Sequence, residues 1–258
     1  IYENNYEQLQ KFIIGNSKQF NINNNICEFL YKKNLFEKIL LVILNNFDNL
    51  LIEIEYPTEL FEKIANIVYD ISKQKSEYSN KLIVTFIIKN KDYFITKSKL
   101  SQIVNNVIIC APDLTVKDQL FVDFIHLESI KFCEGIRTID SNTFKDYTKL
   151  VDVTLPSSLI TIGESSFEGC TSLKKINISS SVATIGSNSF KRCVSLTEIT
   201  LPSSLINIGK SSFEGCTSLT DIFLPSSLTI IGDNSFEGCR SVRLANGMTI
   251  IPFNAFRR

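Results

Sequence analysis

The sequence predicts an α+β chain in which a solenoid of stacked coils follows a mainly α-helical N-terminal part. Three observations predict it. A block of residues recurs at a constant step of 23 from about residue 109 onward, each block contains the period-two alternation of a short half-buried strand, and the first 108 residues lack both the repeat and its turn residues.

The step is read by comparing copies. Leu155-Pro156-Ser157-Ser158-Leu159 recurs as Leu201-Pro202-Ser203-Ser204-Leu205 and as Leu224-Pro225-Ser226-Ser227-Leu228, with the degenerate copy Ile178-Ser179-Ser180-Ser181-Val182 between the first two. The same step relates Phe121, Phe144, Phe167, Phe190, Phe213 and Phe236, and also Cys170, Cys193, Cys216 and Cys239. It further relates Leu127, Leu150, Leu173, Leu196, Leu219 and Val242. The last copy is shortened, since Phe256 follows Phe236 by 20.

Within one copy, Leu173, Ile176 and Ile178 stand in the order L-x-x-I-x-I, whose last pair alternates as a half-buried strand does. Pro156 has no N–H and closes the preceding strand. The two serines after it suit a turn, and Leu159 and Ile162 then point inward again. Gly163, with its counterparts Gly186, Gly209 and Gly232, supplies a backbone conformation that a Cβ disfavours. Glu164-Ser165-Ser166 starts a short helical turn that delivers Phe167 inward. Gly169 turns the chain once more, and Cys170 goes in as a small apolar side chain. Such a coil has an apolar centre and polar rim, and only stacking covers its two faces.

These columns, L-P-S-S-L-x-x-I-G-x-x-S-F-x-G-C-T-S-L-x-x-I, resemble the BspA-like leucine-rich-repeat family, strongly from Leu155 to Val242 and more weakly from Ile109 to Thr154. In the weaker part Tyr147 stands in the cysteine column and Glu134-Gly135 replaces the paired serines. The resemblance implies a curved leucine-rich-repeat solenoid with a parallel sheet over residues 109–258, acting in adhesion or protein recognition without catalysis. It also implies a cell-surface, antigen-like protein. The alternative is an intracellular, cytoplasmic interaction scaffold, favoured by the lack of a signal peptide in this sequence and by the cysteines.

Residues 1–108 read as a separate α-helical domain. Nine of the ten glycines and five of the six prolines lie beyond it. Tyr2, Tyr6, Leu9 and Ile13 form a helical stripe stopped by Gly15; Phe36, Ile39, Leu40 and Ile43 form a second, with Asn34 as N-cap; Leu60, Ile64, Ile67, Val68 and Ile71 form a third after Pro57. Residues 81–97 read either way, because Leu82 to Ile88 is β-branched enough for a strand; helix is slightly preferred. A helical domain on the first coil would cover its apolar end. The chain starts at Ile1 rather than Met, which reads as a piece of a longer protein.

Composition excludes several function classes. Twenty-seven basic residues balance 27 acidic ones, so no charge excess points to nucleic acid. The longest apolar run, Ile39 to Leu44, falls far short of the roughly 20 residues a membrane span needs. A single histidine, His126, rules out two-histidine metal sites within this chain, and ligands 23 residues apart do not match C-x-x-C knuckles. Gly163 to Gly169 misses the G-x-S-x-G spacing and lacks the Lys-Ser/Thr of a phosphate loop. No catalytic, metal or cofactor residues are therefore assigned, and no cofactor is expected. Seven cysteines exclude a fully paired disulfide framework, and mostly free thiols are expected.

If a recognition site exists, alternation places it on the outward side of the stacked strands. The candidate protein-binding residues are Lys131, Asp152, Lys175, Asn177, Glu198, Thr200, Asp221 and Phe223, with Ser129 and Thr154 in the same columns. Outward columns vary from coil to coil while inward columns barely change, which is equally what plain solvent-facing residues do. Phe223 is the one apolar side chain among them. The expected partner is a protein or cell-surface ligand. The last coil, ending part-way at Phe256-Arg257-Arg258, is expected to leave apolar side chains around Val242, Ile251 and Phe256 uncovered, which invites end-to-end self-association or fraying.

Overall fold

The computed structural model of the protein describes residues 20–22, 49–54, 69, 83–88, 104–110, 115–116, 121, 124–246, 248 and 254–256. The strands among them are β1 (Phe20–Ile22), β2 (Asn49–Ile54), β3 (Ile83–Ile88), β4 (Val104–Ile109), β5 (Thr115–Val116), β6 (Ser129–Phe132), β7 (Thr138–Ile139) and β8 (Asp152–Thr154). They continue as β9 (Thr161–Ile162), β10 (Lys175–Asn177), β11 (Thr184–Ile185), β12 (Glu198–Thr200), β13 (Asn207–Ile208), β14 (Ile222–Leu224), β15 (Ile230–Ile231) and β16 (Val242–Leu244). One sheet runs β1-β2-β3-β4-β6-β8-β10-β12, a second β15-β13-β11-β9-β7-β5, and β14 and β16 form a third. The described pairings are parallel, as stacking of like coils requires. This is the parallel-sheet solenoid that the repeat implies.

Among the described residues, each coil from β4 to β15 gives one strand to the first or third sheet and one to the second, and the apolar columns fill the space between. Leu159, Ile162, Phe167, Cys170 and Leu173 are fully buried, and so are their coil-by-coil equivalents Leu205, Ile208, Phe213, Cys216 and Leu219. Successive coils repeat one conformation, so equivalent rings in the regular copies come out nearly parallel: Phe167 on Phe190 and Phe190 on Phe213 stack at 5.3 Å, with 4° and 3° between their planes. The cysteine column donates inward, each Sγ–H meeting the carbonyl of an earlier Phe, as Cys193 does to Phe167 at 3.1 Å. A hydroxyl column works similarly: Ser212 Oγ donates within reach of two carbonyls, Gly186 and Gly209. Lys145–Glu168 and Lys191–Glu214 pair across coils at 3.1 and 3.0 Å. Burial pushes both carboxyls up, but hydrogen bonds from Ser165 or Ser211 and the paired lysine outweigh it and hold them below the usual range.

Two expectations within the coil are corrected. Glu164 to Gly169 is a run of turns rather than a helical start, with Ser165 at φ 51° and Gly169 at φ 74°. Positive φ falls on that serine or asparagine column (Asn142, Ser165, Asn188, Ser211, Asn234), on the second glycine column including its Asp146 and Arg192, and on Gly135, not on Gly163 and its equivalents. Gly163 is required for space instead: a Cβ there would lie 2.7 Å from the Asp140 carbonyl carbon and 2.8 Å from the Ile139 oxygen.

The N-terminal part also differs from expectation. The segment read as slightly favouring helix is strand β3, paired on both sides by β2 and β4. A strand flanked twice has its backbone groups satisfied by neighbours, so the β-branched run Ile83–Ile88 is held as strand by tertiary pairing. Strands β1 to β4 thus extend the first sheet of the repeat region without interruption. Their spacing is irregular: Phe20 pairs with Leu50 and Leu50 with Val84, whereas Asn106 pairs with Ser129 at the 23-residue step. The three helical stripes lie outside the described residues, except that Tyr69 is helical.

The thiol expectation holds for the ladder and fails at the junction. Cys170, Cys193, Cys216 and Cys239 are free, whereas Cys110 and Cys133 are joined by a disulfide. The register explains the encounter. Ile109 pairs with Phe132, so the residues that follow them stand side by side on adjacent coils, 4.7 Å apart at Cα. Cys27 lies outside the described residues.

Candidate functional site

The eight outward residues are all exposed. Strand pleating puts them there: in β8, β10 and β12 the middle residue is buried and its two neighbours are exposed. Register then aligns the columns. Ser129, Asp152, Lys175 and Glu198 stand abreast on β6, β8, β10 and β12, and Lys131, Thr154, Asn177 and Thr200 do the same. Lys175 therefore has a carboxylate on either side, Asp152 and Glu198, in a row of alternating sign.

Asp221 and Phe223 belong to the neighbouring β14–β16 sheet rather than to the eight-stranded one. Six of the eight candidates thus share one continuous sheet, and two sit on the next. Phe223 is 49% exposed and faces Arg243 in the register. Arg243 is a member of this face that sequence comparison missed, because the last copy is shortened and the 23-residue step no longer reaches it. Its guanidinium makes a two-pronged pair with Asp221, which raises its already high pKa. The pair is open to water, and water screens it.

Elsewhere the side chains offer little chemistry. Burial pushes the Cys170, Cys193 and Cys216 thiols well up, away from the thiolate that a nucleophile or metal ligand needs. His126 Nδ1 lies 2.7 Å from Lys149 Nζ, one coil on. Beside them is an open depression of 270 Å³ lined in part by Phe124, Ile125, Tyr147 and Lys149. Among the described residues no group of three or more His, Cys, Asp or Glu side chains is placed to hold a metal ion. No described helix is long and apolar enough to cross a membrane.

Comparison with known families matches residues 137–258 to the BspA type leucine rich repeat region, in six copies. No curated protein matches the chain. Among solved structures, a leucine rich repeat protein of T. pallidum is 31% identical, with 46% of this chain and 69% of that one covered and a TM-score of 0.42. A leucine rich cell surface protein of Faecalibacterium prausnitzii is 23% identical, with 62% and 42% covered and a TM-score of 0.49. A leucine-rich repeat protein of Bacteroides ovatus is 20% identical, with 72% and 54% covered and a TM-score of 0.45.

Proposed function

Over residues 137–258 the chain belongs to the BspA type leucine-rich-repeat family, and from that premise we propose that the protein is a non-enzymatic recognition protein. Its binding surface is the outward face of the stacked strands, and its setting is the cell surface, where it acts in adhesion. The observation that carries the reading is the contrast between columns. Lys131, Asp152, Lys175, Asn177, Glu198, Thr200, Asp221 and Phe223 differ from coil to coil and are all exposed, while Phe, Leu and Ile repeat in the columns beneath them. A scaffold with a constant interior and a varied polar face that carries a single aromatic suits protein recognition, with Phe223 as the apolar anchor. The Cys110–Cys133 disulfide supports an oxidising, extracellular setting. The four free ladder thiols favour the alternative, an intracellular scaffold.

Two measurements test this. Antibody against the chain should label intact cells of the source organism as strongly as permeabilised ones; labelling only after permeabilisation would select the scaffold. Binding of the chain to intact target cells should fall at least tenfold on combining Lys175→Glu, Glu198→Lys and Phe223→Ser. A control triple change on the second sheet should leave it intact, and equal loss from both would remove the outward face as the site.

A further inference from the structure

Glu134 is the odd member of its column, whose other positions are Ser157, Ser180, Ser203 and Ser226. Its carboxylate lies across the paired serines of the next coil. Oε1 accepts the Ser157 N–H at 2.9 Å, and Oε2 accepts the Ser157 hydroxyl at 2.9 Å and the Ser158 N–H at 3.1 Å. Led by the Ser157 amide, these donors hold the carboxyl below its usual range. One coil of the protein thus displays a carboxylate seated in a three-donor notch.

The same turn recurs in the later coils without a protein carboxylate across it. The turn is closed alike in each copy, the N–H after the two serines returning to the residue before them: Leu159 to Pro156, Val182 to Ser179, Leu205 to Pro202 and Leu228 to Pro225, at 3.0 to 3.3 Å. The second serine is anchored alike at three of them, Ser158, Ser204 and Ser227 donating to carbonyls of the preceding coil at 2.8, 2.7 and 2.7 Å. What changes is the residue one coil earlier. Ser157, Ser180 and Ser203 are too short to reach across, and among the described residues no protein acceptor meets the N–H groups of Ser180, Ser181, Ser203, Ser204, Ser226 or Ser227. All six residues are exposed or half-buried.

We infer that the serine pairs 180–181, 203–204 and 226–227 form a ladder of carboxylate-binding notches, one per coil, that takes an acidic helical segment of a protein partner. Neutral amides pointing at one spot bind anions without any lysine or arginine. Spacing selects the partner. Stacked coils repeat at about 4.8 Å by strand separation, and the phenylalanine stack measures 5.3 to 5.5 Å. Glutamates at i, i+4 and i+7 of a helix sit about 5–6 Å apart, whereas alternate residues of an extended strand are about 6.8 Å apart. Each notch is weak alone, and three engaged together multiply. The ladder lies on the rim between the first and second sheets, so its failure would leave the outward-face reading untouched.

The test uses amide NMR spectra of the full chain with a synthetic helical peptide bearing glutamates at i, i+4 and i+7, and with the same peptide bearing glutamines. The glutamate peptide should shift the six notch amides, more weakly as salt is added, and the glutamine peptide should not. Glu134→Ala should free a fourth notch, bring Ser157 and Ser158 into the response and tighten binding several-fold. Ser203→Pro, which suits the second position of such a turn, should weaken it several-fold by removing the N–H and hydroxyl of the middle notch. If that variant does not fold, Ser203→Ala should give a smaller loss. Equal response to both peptides, no shift at the six amides, or a response only to a sulfated oligosaccharide would each overturn the proposal.

Discussion

Gly209 and Gly215 stand in two recurrent glycine columns, the first holding glycine from Gly163 to Gly232 and the second interrupted by Asp146 and Arg192, and they are needed for different reasons. A Cβ on Gly209 would enter the backbone of Ser187 and stand 2.7 Å from the Gly186 carbonyl carbon, while one on Gly215 would meet nothing nearer than 3.7 Å but would sit at φ 75°. Gly209→Ala is therefore expected to cost about 2–3 kcal/mol through overpacking, Gly215→Ala about 1 kcal/mol through left-handed strain, and Lys210→Ala less than about 0.5 kcal/mol. Asparagine separates the two causes, since Asn142, Asn188 and Asn234 already hold positive φ. Urea unfolding should find Gly215→Asn mild and Gly209→Asn severe; equal costs would mean that crowding is not the reason for the first column. The cysteine column has a pH consequence. Burial pushes the Cys239 thiol from 9.0 up to about 12, so its contribution to stability is full below pH 9 and is lost as pH rises toward 12. Scanning calorimetry should show Tm falling above pH 9, with a smaller fall in Cys239→Ala measured against its own value at pH 8.

At the scale of strands and turns, the coil is legible wherever one residue decides its own position. The buried middle residues Val153, Ile176 and Ile199 follow from alternation, and the turns after β8 and β12 follow from Pro-Ser-Ser, with Ser179-Ser180-Ser181 in its place after β10. The N-terminal strands are not legible that way. Ile83–Ile88 becomes strand because β2 and β4 satisfy it on both sides, and those partners lie over 20 residues away without a constant step. Cys110 and Cys133 are one repeat step of 23 apart, but the step alone leaves the ladder cysteines free and does not say which neighbours bridge; the register at β4 and β6 does. Thiol titration in denaturant should therefore rise by two per chain on adding reductant. No rise would remove the staple between β4 and β6. Hydrogen exchange at β4 should quicken in Cys133→Ser while exchange at β10 stays unchanged.

At the scale of the whole molecule, the two edges of the described stack differ. Toward the N-terminus the first sheet continues through β4 to β1. Toward the other end, Phe256 stacks on Phe236 at 5.5 Å and is 37% exposed where Phe236 is 2% exposed, and Leu244 on β16 is exposed as well. The expected outcome is concentration-dependent self-association through this end. Sedimentation velocity should show it in this 258-residue chain and not in Phe256→Glu; a monomer at every concentration would mean that the exposed Phe256 ring does not drive association.

The sequence by itself determined the repeat, its length, the inward columns and the outward candidates, because translation makes every coil repeat the same local solution and six copies reveal it. Tertiary structure alone decided what depends on a neighbour's position: the crowding that makes Gly163 obligatory, the strand character of Ile83–Ile88, the Cys110–Cys133 bond, the Asp221–Arg243 pair and the seat of Glu134 on Ser157 and Ser158. Each of these is a contact between residues on different coils, and its energy belongs to the stacking and not to either segment of chain.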